Sequence, residues 1–157
     1  MTQPTDSPRI YIPPPVIYIG FFLVAILLQG ATHMNNRFFL TVTSKVLGAL
    51  LIVFGLFFNF PALRQFFKTK NTVVTSKPAN SLQTTGIYSV SRNPMYISLL
   101  LFYTGLSFLI GNWWHIILLP VLFLIVQEYI IKREERYLLR RFGEQYLRYT
   151  TKVRRWI

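Results

Sequence analysis

Apolar residues run through this chain in blocks too long for an amphipathic pattern, and the charged residues sit between the blocks. No side chain from Ile10 to Asn36 carries a full charge, none does from Val46 to Leu63, and from Asn93 to Ile131 only Glu128 does. A helix needs ~17–25 apolar residues to cross ~30 Å of hydrocarbon, and it satisfies its own backbone hydrogen bonds as lipid requires. The pattern predicts membrane helices over residues 15–31, 44–60, 94–110 and 113–131. The expected fold class is an all-α integral membrane protein with about four transmembrane helices and a C-terminal helical cytoplasmic segment. Gly111-Asn112 is a turn-forming pair between the last two helices, and Trp113 and Trp114 suit the membrane interface, so these helices form a tight hairpin.

The chain then divides as one membrane domain over residues 1–157. Residues 1–14 are a polar, extended N-terminus, loose through Pro8, and Pro13-Pro14-Pro15 starts the first helix, where a missing N–H costs nothing. Residues 15–60 hold the two N-terminal helices and residues 61–91 a loop long enough to be functional or disordered. Within that loop, residues 62–68 extend the second helix and Thr72-Val73-Val74 forms a short extended piece. Residues 92–157 hold the hairpin and a C-terminal segment. A first helix with neither a basic flank nor a small-residue cleavage site reads as a retained anchor.

Composition and charge sharpen this. With 52% hydrophobic and 17% aromatic residues, a soluble bundle would expose large apolar patches. If both termini share one side, Arg37 and Lys45 are the only basic residues on the other, and the positive-inside rule puts the termini, the long loop and the tail in the cytoplasm. The formal charge of +12 then serves anionic lipid headgroups at the basic tail, and nucleic acid is not expected. The absence of cysteine removes disulfides and thiolate nucleophiles. No metal-ligand spacing is present, His33 and His115 read as interfacial, and no Gly-x-Gly-x-x-Gly marks a Rossmann site.

What remains is a polar constellation at one end of the apolar body: Ser91-Arg92-Asn93-Pro94-Met95-Tyr96 before the third helix, and Arg133-Glu134-Glu135 and Phe142-Gly143-Glu144-Gln145-Tyr146 after the fourth. Each part has a structural explanation. Asn93 can cap a helix, Pro94 fits its first turn, and Arg92 can reach headgroups. At ~100° per residue Glu128, Glu135 and Phe142 share one helix face and Glu134 and Arg141 another, with Lys132–Glu135 a possible i,i+3 pair. The clustering at one membrane depth is unexplained by those roles, and Glu128 at the hydrocarbon edge calls for a partner or a function.

With Thr85-Gly86-Ile87-Tyr88, the Arg-Glu-Glu-Arg-Tyr-Leu run from Arg133, the Phe-Gly-Glu-Gln-Tyr-Leu-Arg-Tyr run from Phe142 and the closing Val153-Arg154-Arg155-Trp156, these motifs resemble the isoprenylcysteine carboxyl methyltransferase and phospholipid methyltransferase superfamily. The resemblance covers residue 72 to the C-terminus, and the first two helices share only its hydropathy. It implies an integral-membrane methyltransferase that uses S-adenosyl-L-methionine. Its cofactor site would be lined by Arg92, Asn93, Pro94, Tyr96, Glu134, Glu135 and Tyr146. Arg141 and Glu134 are the candidates for orienting cofactor or acceptor, with Tyr149 closing over the site beside Tyr146. The chain departs from the prenylcysteine enzymes at Asn93, where they have His, so that position cannot titrate. The acceptor expected is a membrane-dissolved lipophile: an isoprenoid-type carboxylate, a lipid amine, or a small thiol or alcohol. A membrane reductase of the sterol-reductase type using NADPH and a non-enzymatic lipid-binding adaptor are the alternatives. The oligomeric state is not readable.

Overall fold

A computed structural model describes residues 7–69 and 78–157, and among them helices and connecting segments occur without strands. The helices are α1 (Pro14–Thr32), α2 (Val42–Lys68), α3 (Pro94–Ile110), α4 (Trp113–Ile125), α5 (Lys132–Phe142) and α6 (Glu144–Lys152). Short 3₁₀ turns stand at Arg37–Leu40 and Gly86–Ser89, and a π-helical turn, Val126–Ile131, joins α4 to α5 in one rod. The all-α expectation holds.

Three of these elements are long and apolar enough to cross a membrane: α1, α2 and the rod Trp113–Phe142. The third predicted span, α3, is apolar but has only 17 residues. The rod has 30 residues, about 45 Å at ~1.5 Å each, which exceeds ~30 Å of hydrocarbon. Its apolar part ends at Ile131, and the charged turns from Lys132 onward project beyond it. Large side chains such as Leu27, Phe57 and Phe60 stand exposed on the outer surface, as a lipid solvent allows.

Several local readings change. The expected extension of the second helix over residues 62–68 forms, and α2 runs unbroken through Pro61 to Lys68. One ladder bond is lost at the proline, and breaking the helix there would leave more backbone groups without partners in lipid. Pro8, placed in a loose segment by its polar neighbours, is buried. The next residues are held too. Ile10 is buried in the core, the Ile12 N–H donates to Tyr129 Oη at 3.3 Å, and Arg133 Nη1 donates to the Arg9 carbonyl at 3.1 Å. Residues 1–6 of the expected polar N-terminus and the extended piece Thr72-Val73-Val74 lie outside the described residues. His115 is fully buried against Phe22 and Tyr103, so it is a packing residue of the bundle and not an interfacial one.

The packing is led by α2 on α3. These helices run antiparallel, so Ser44 near the start of α2 donates to the Phe108 carbonyl at 3.2 Å while Asn59, further along, reaches Ser98 at 3.0 Å. Lys45 donates to the Leu109 carbonyl at the end of α3. The backbones approach closely because Gly48 and Gly105 face each other: a Cβ on Gly105 would sit 2.8 Å from the Gly48 carbonyl oxygen. Small residues at a membrane helix crossing serve this purpose. The α3–α4 turn forms as expected, with Gly111 at φ 84° and Asn112 Oδ1 accepting from the Trp114 N–H at 2.8 Å. Helix α4 then packs on α1, where Asn112 Nδ2 donates to the Ala25 carbonyl at 3.0 Å and Trp114 Nε1 to Thr32 Oγ1 at 2.8 Å. Tyr18, Tyr96, Tyr103, Leu122, Val126 and Ile130 fill the space between α1, α3 and the rod.

The glycine contact makes a direct prediction. Gly105→Val should force α2 and α3 apart and cost about 1–3 kcal/mol, read as a lowered thermal midpoint in detergent. Gly20→Ala, where a Cβ meets nothing within 4 Å, should leave the midpoint unchanged or slightly raised.

Candidate functional site

At the cytoplasm-directed end predicted by the basic residues, three chain segments meet. The backbone of the C-terminal tail lies along the residues before α3. The Arg92 N–H donates to the Arg154 carbonyl at 3.1 Å, and Asn93 Nδ2 and Ser91 Oγ donate to the Arg155 carbonyl at 2.9 and 3.3 Å. Trp156 anchors the end of the tail on the rod, tilted against Phe123 and donating from Nε1 to Gln127 Oε1 at 3.1 Å.

This docking carries Arg155 to α5. Its Nε and Nη2 donate to the two oxygens of Glu135 at 2.9 and 2.7 Å, a bidentate fork, and Arg92 Nη2 reaches Oε1 of the same carboxylate at 3.2 Å. Two guanidiniums therefore share one carboxylate whose side chain is 16% exposed. Charge-assisted, bidentate bonds of this kind fix orientation as well as energy.

The adjacent carboxyl has a different environment. Tyr96 Oη donates to Glu134 Oε1 at 2.8 Å, and Glu134 has no cationic partner among the described residues. Burial pushes the Glu134 carboxyl up to about 7, with Glu135 adding to the rise and the Tyr96 hydrogen bond opposing it. Tyr146, from α6, accepts from Arg92 Nη1 at 3.4 Å, and Tyr149 donates to the Tyr88 carbonyl at 2.6 Å. Burial holds the Tyr146 phenol up at about 12, so it stays neutral.

These groups surround a cavity of about 320 Å³, within the ~300–1,000 Å³ usual for small-molecule sites. Arg92, Asn93, Pro94, Tyr96, Glu134, Glu135 and Tyr146 all line it, with Tyr149. The sequence-predicted set is thus brought together, except for Arg141. That guanidinium lies 5.9 Å from the ring centroid of its neighbour Phe142 and does not line the cavity.

Three expectations are corrected here. Asn93 occupies the N-cap position of α3 but its side chain makes no cap bond; the carbonyl of Arg155 takes it instead. Glu128, by contrast, has the partner that its position called for, Lys132 at 2.7 Å, and both are near half exposed. The Lys132–Glu135 pair does not form, because Lys132 turns to Glu128 and Glu135 to the two arginines. The shared face of Glu128, Glu135 and Phe142 assumed an unbroken α-helix, whereas the π turn lies between α4 and α5 and shifts the register of all that follows.

Sequence reasoning missed Arg155, Tyr88, Tyr137 and Asn59. Arg155 was visible only as part of the closing Arg-Arg-Trp, where two adjacent arginines gave no sign of which turns inward. Tyr137 accepts from the Ala79 N–H at 2.7 Å and so brings the long loop to the cavity wall. Nothing in the sequence connects those two positions. Among the described residues no cluster of His, Asp or Glu could hold a metal ion.

Comparison with known proteins gives three findings. Residues 43–145 match the family model described as phospholipid methyltransferase. Over 66 residues, 40% of the chain, it is 41% identical to an uncharacterized protein of Haemophilus influenzae along that protein's entire length. Over 128 residues, 80% of the chain, it is 28% identical to the protein-S-isoprenylcysteine O-methyltransferase of Schizosaccharomyces pombe, and the match spans 53% of that longer protein. No solved structure matches the chain.

The Glu135 cluster should be measurable as stability. Arg155→Met removes the bidentate partner and should lower stability by about 1–2 kcal/mol, while increasing protease cleavage in the tail. Arg148→Ala, whose pair with Glu144 at 3.9 Å is about three-quarters exposed, should change neither.

Proposed function

The chain belongs to the phospholipid methyltransferase family, and on that premise we propose that it transfers a methyl group from S-adenosylmethionine to a lipophilic acceptor dissolved in the bilayer. One observation carries the reading. In a single cavity, a carboxyl without a cationic partner, Glu134, stands among Tyr88, Tyr96, Tyr146 and Tyr149, together with Arg92, whose buried Nε makes no hydrogen bond among the described residues.

That donor set fits the cofactor. The methionine end of S-adenosylmethionine is zwitterionic, so its ammonium suits Glu134 and its carboxylate suits the guanidinium of Arg92. Aromatic faces favour a nearby cation, which the sulfonium provides. When bound, such a donor supplies an electrophilic methyl group. The protein's own work is positioning and exclusion of water. Glu135 acts one step behind, holding Arg92 and Arg155 in place, and Tyr146 and Tyr149 close the water side. Arg141 has no part in this reading.

The placement in the membrane follows from the same charges. The termini and the cavity face the cytoplasm, and the exposed Arg136, Lys152 and Arg154 meet anionic headgroups. Helix α3 is the fourth crossing, its ~25 Å length accommodated by local thinning of the bilayer. The acceptor is an isoprenoid-type carboxylate, a lipid amine or a small thiol or alcohol. A reductase binding NADPH is disfavoured because Glu135 already neutralises the arginines that a pyrophosphate would need.

Calorimetric titration of the detergent-purified protein with S-adenosylhomocysteine, with NADPH as control, tests this. Saturable binding of the homocysteine compound alone is expected. The carboxyl of Glu134 carries its proton well below pH 7 and is ionised well above it, so affinity for the ammonium-bearing ligand should rise up to about tenfold between pH 6 and pH 8. Glu134→Gln should bind more weakly and lose that pH dependence. Folded wild-type protein that binds no S-adenosylhomocysteine would refute the reading.

A further inference from the structure

Asn59 is the only polar side chain from Val46 to Leu63, within the apolar part of α2 and five residues before Arg64. An amide there is costly unless something uses it. It lines the same cavity as Leu63, Phe66 and Leu99, together with Glu134 and Glu135 of α5. Where α2 lines the cavity, the amide is its polar group.

The orientation of that amide is fixed by hydrogen counting. Ser98, fully buried on α3, donates its one hydroxyl hydrogen to the Met95 carbonyl at 2.7 Å. Its oxygen can then only accept from Asn59, so Nδ2 is the atom at 3.0 Å and Oδ1 is turned away. The Asn59 side chain makes no other hydrogen bond among the described residues. An acceptor oxygen is thus presented in an apolar wall, where a partner is worth more than in water.

Resting on the methyl-transfer reading, we propose that Asn59 is an acceptor-positioning residue, its Oδ1 holding an N–H or O–H at the polar end of the lipophilic methyl acceptor. It acts on the acceptor and not on the cofactor, because it stands on the uncharged stretch of α2, whereas the charged groups of the cavity come from the residues before α3 and from α5.

The test measures transfer of tritiated methyl from S-adenosylmethionine to two probes that carry N–H near the polar end: vesicles of dioleoyl phosphatidylethanolamine, and N-acetyl-S-farnesylcysteine. For whichever probe is methylated, Asn59→Leu should raise KM about tenfold, the worth of one lost hydrogen bond to a positioned group. Its kcat at saturation and its affinity for S-adenosylhomocysteine should stay within about twofold of wild type. Ser98→Ala cuts the tie between α2 and α3 but keeps the amide, and should shift KM by less than about threefold. An unchanged KM in Asn59→Leu, or an equal rise in Ser98→Ala, would overturn the proposal, the second because it would show a purely structural tie. Wild-type protein that binds S-adenosylhomocysteine but methylates neither probe would also overturn it while leaving the cofactor reading intact. Failure of that binding in wild type would strike the methyl-transfer reading itself.

Discussion

The carboxylate of Glu135 between Arg92 and Arg155 is the contact on which the site depends. It joins residues that are 43 and 20 positions from it in sequence, before α3, on α5 and in the tail. As a stabiliser it is modest, since taking three charges out of water offsets much of the Coulomb gain. Its effect is geometric. The tail is drawn along Ser91–Asn93, α6 follows it, and Tyr146 and Tyr149 come to close a cavity that would otherwise open to water. A C-terminal segment of a small membrane protein has little core to dock on, and this ion cluster with its backbone bonds replaces one.

The rod from Trp113 to Phe142 brings two consecutive glutamates to opposite uses. Glu135 is satisfied by two cations and Glu134 by one phenol. The difference arises from what stands beside each, not from the residues themselves. Between the apolar part of the rod and these acids sits the π turn, which inserts a residue into the helical count and rotates everything after it by about 100°. Glu134 takes the phenol of Tyr96, Lys132 pairs with Glu128 one turn back, and both oxygens of Glu135 are left to the arginines. The i,i+3 pair of Lys132 with Glu135 does not form because each is taken by another partner of opposite charge.

The membrane body was legible because hydrocarbon imposes a simple rule on long uncharged stretches, and the helix starts at Pro14, Pro94 and Trp113 sit within a residue of where turn chemistry placed them. The continuation of α2 over residues 62–68 was legible too, and Pro61 does not stop it, since lipid penalises a broken helix more than a lost bond. In the site, most of the residues carried by the motifs meet in one cavity, yet their division of labour was invisible. Nothing local distinguishes Arg141 from Arg155, and only the path of the tail decides which one turns inward. Asn93 read as a cap from its place before Pro94; its amide instead serves the tail, a long-range partner that no local pattern encodes.

The cavity's position explains why its walls differ in chemistry. The residues before α3 and the helices α5 and α6 supply its carboxyls, its guanidinium and most of its phenols, and α3 supplies the phenol of Tyr96. Helix α2 contributes Asn59 with the apolar Leu63 and Phe66. Helix α1 packs on α4 while α2 packs on α3, and the cavity is lined by the first turn of α1, Pro14 and Pro15, as well as by α2. A charged ligand cannot approach through the α2 side without losing its hydration, and a lipophile gains nothing by leaving the bilayer to come in from water. Two ligands of opposite solubility would therefore meet in this cavity, the charged one at the carboxyls and guanidinium and the lipophile along α2.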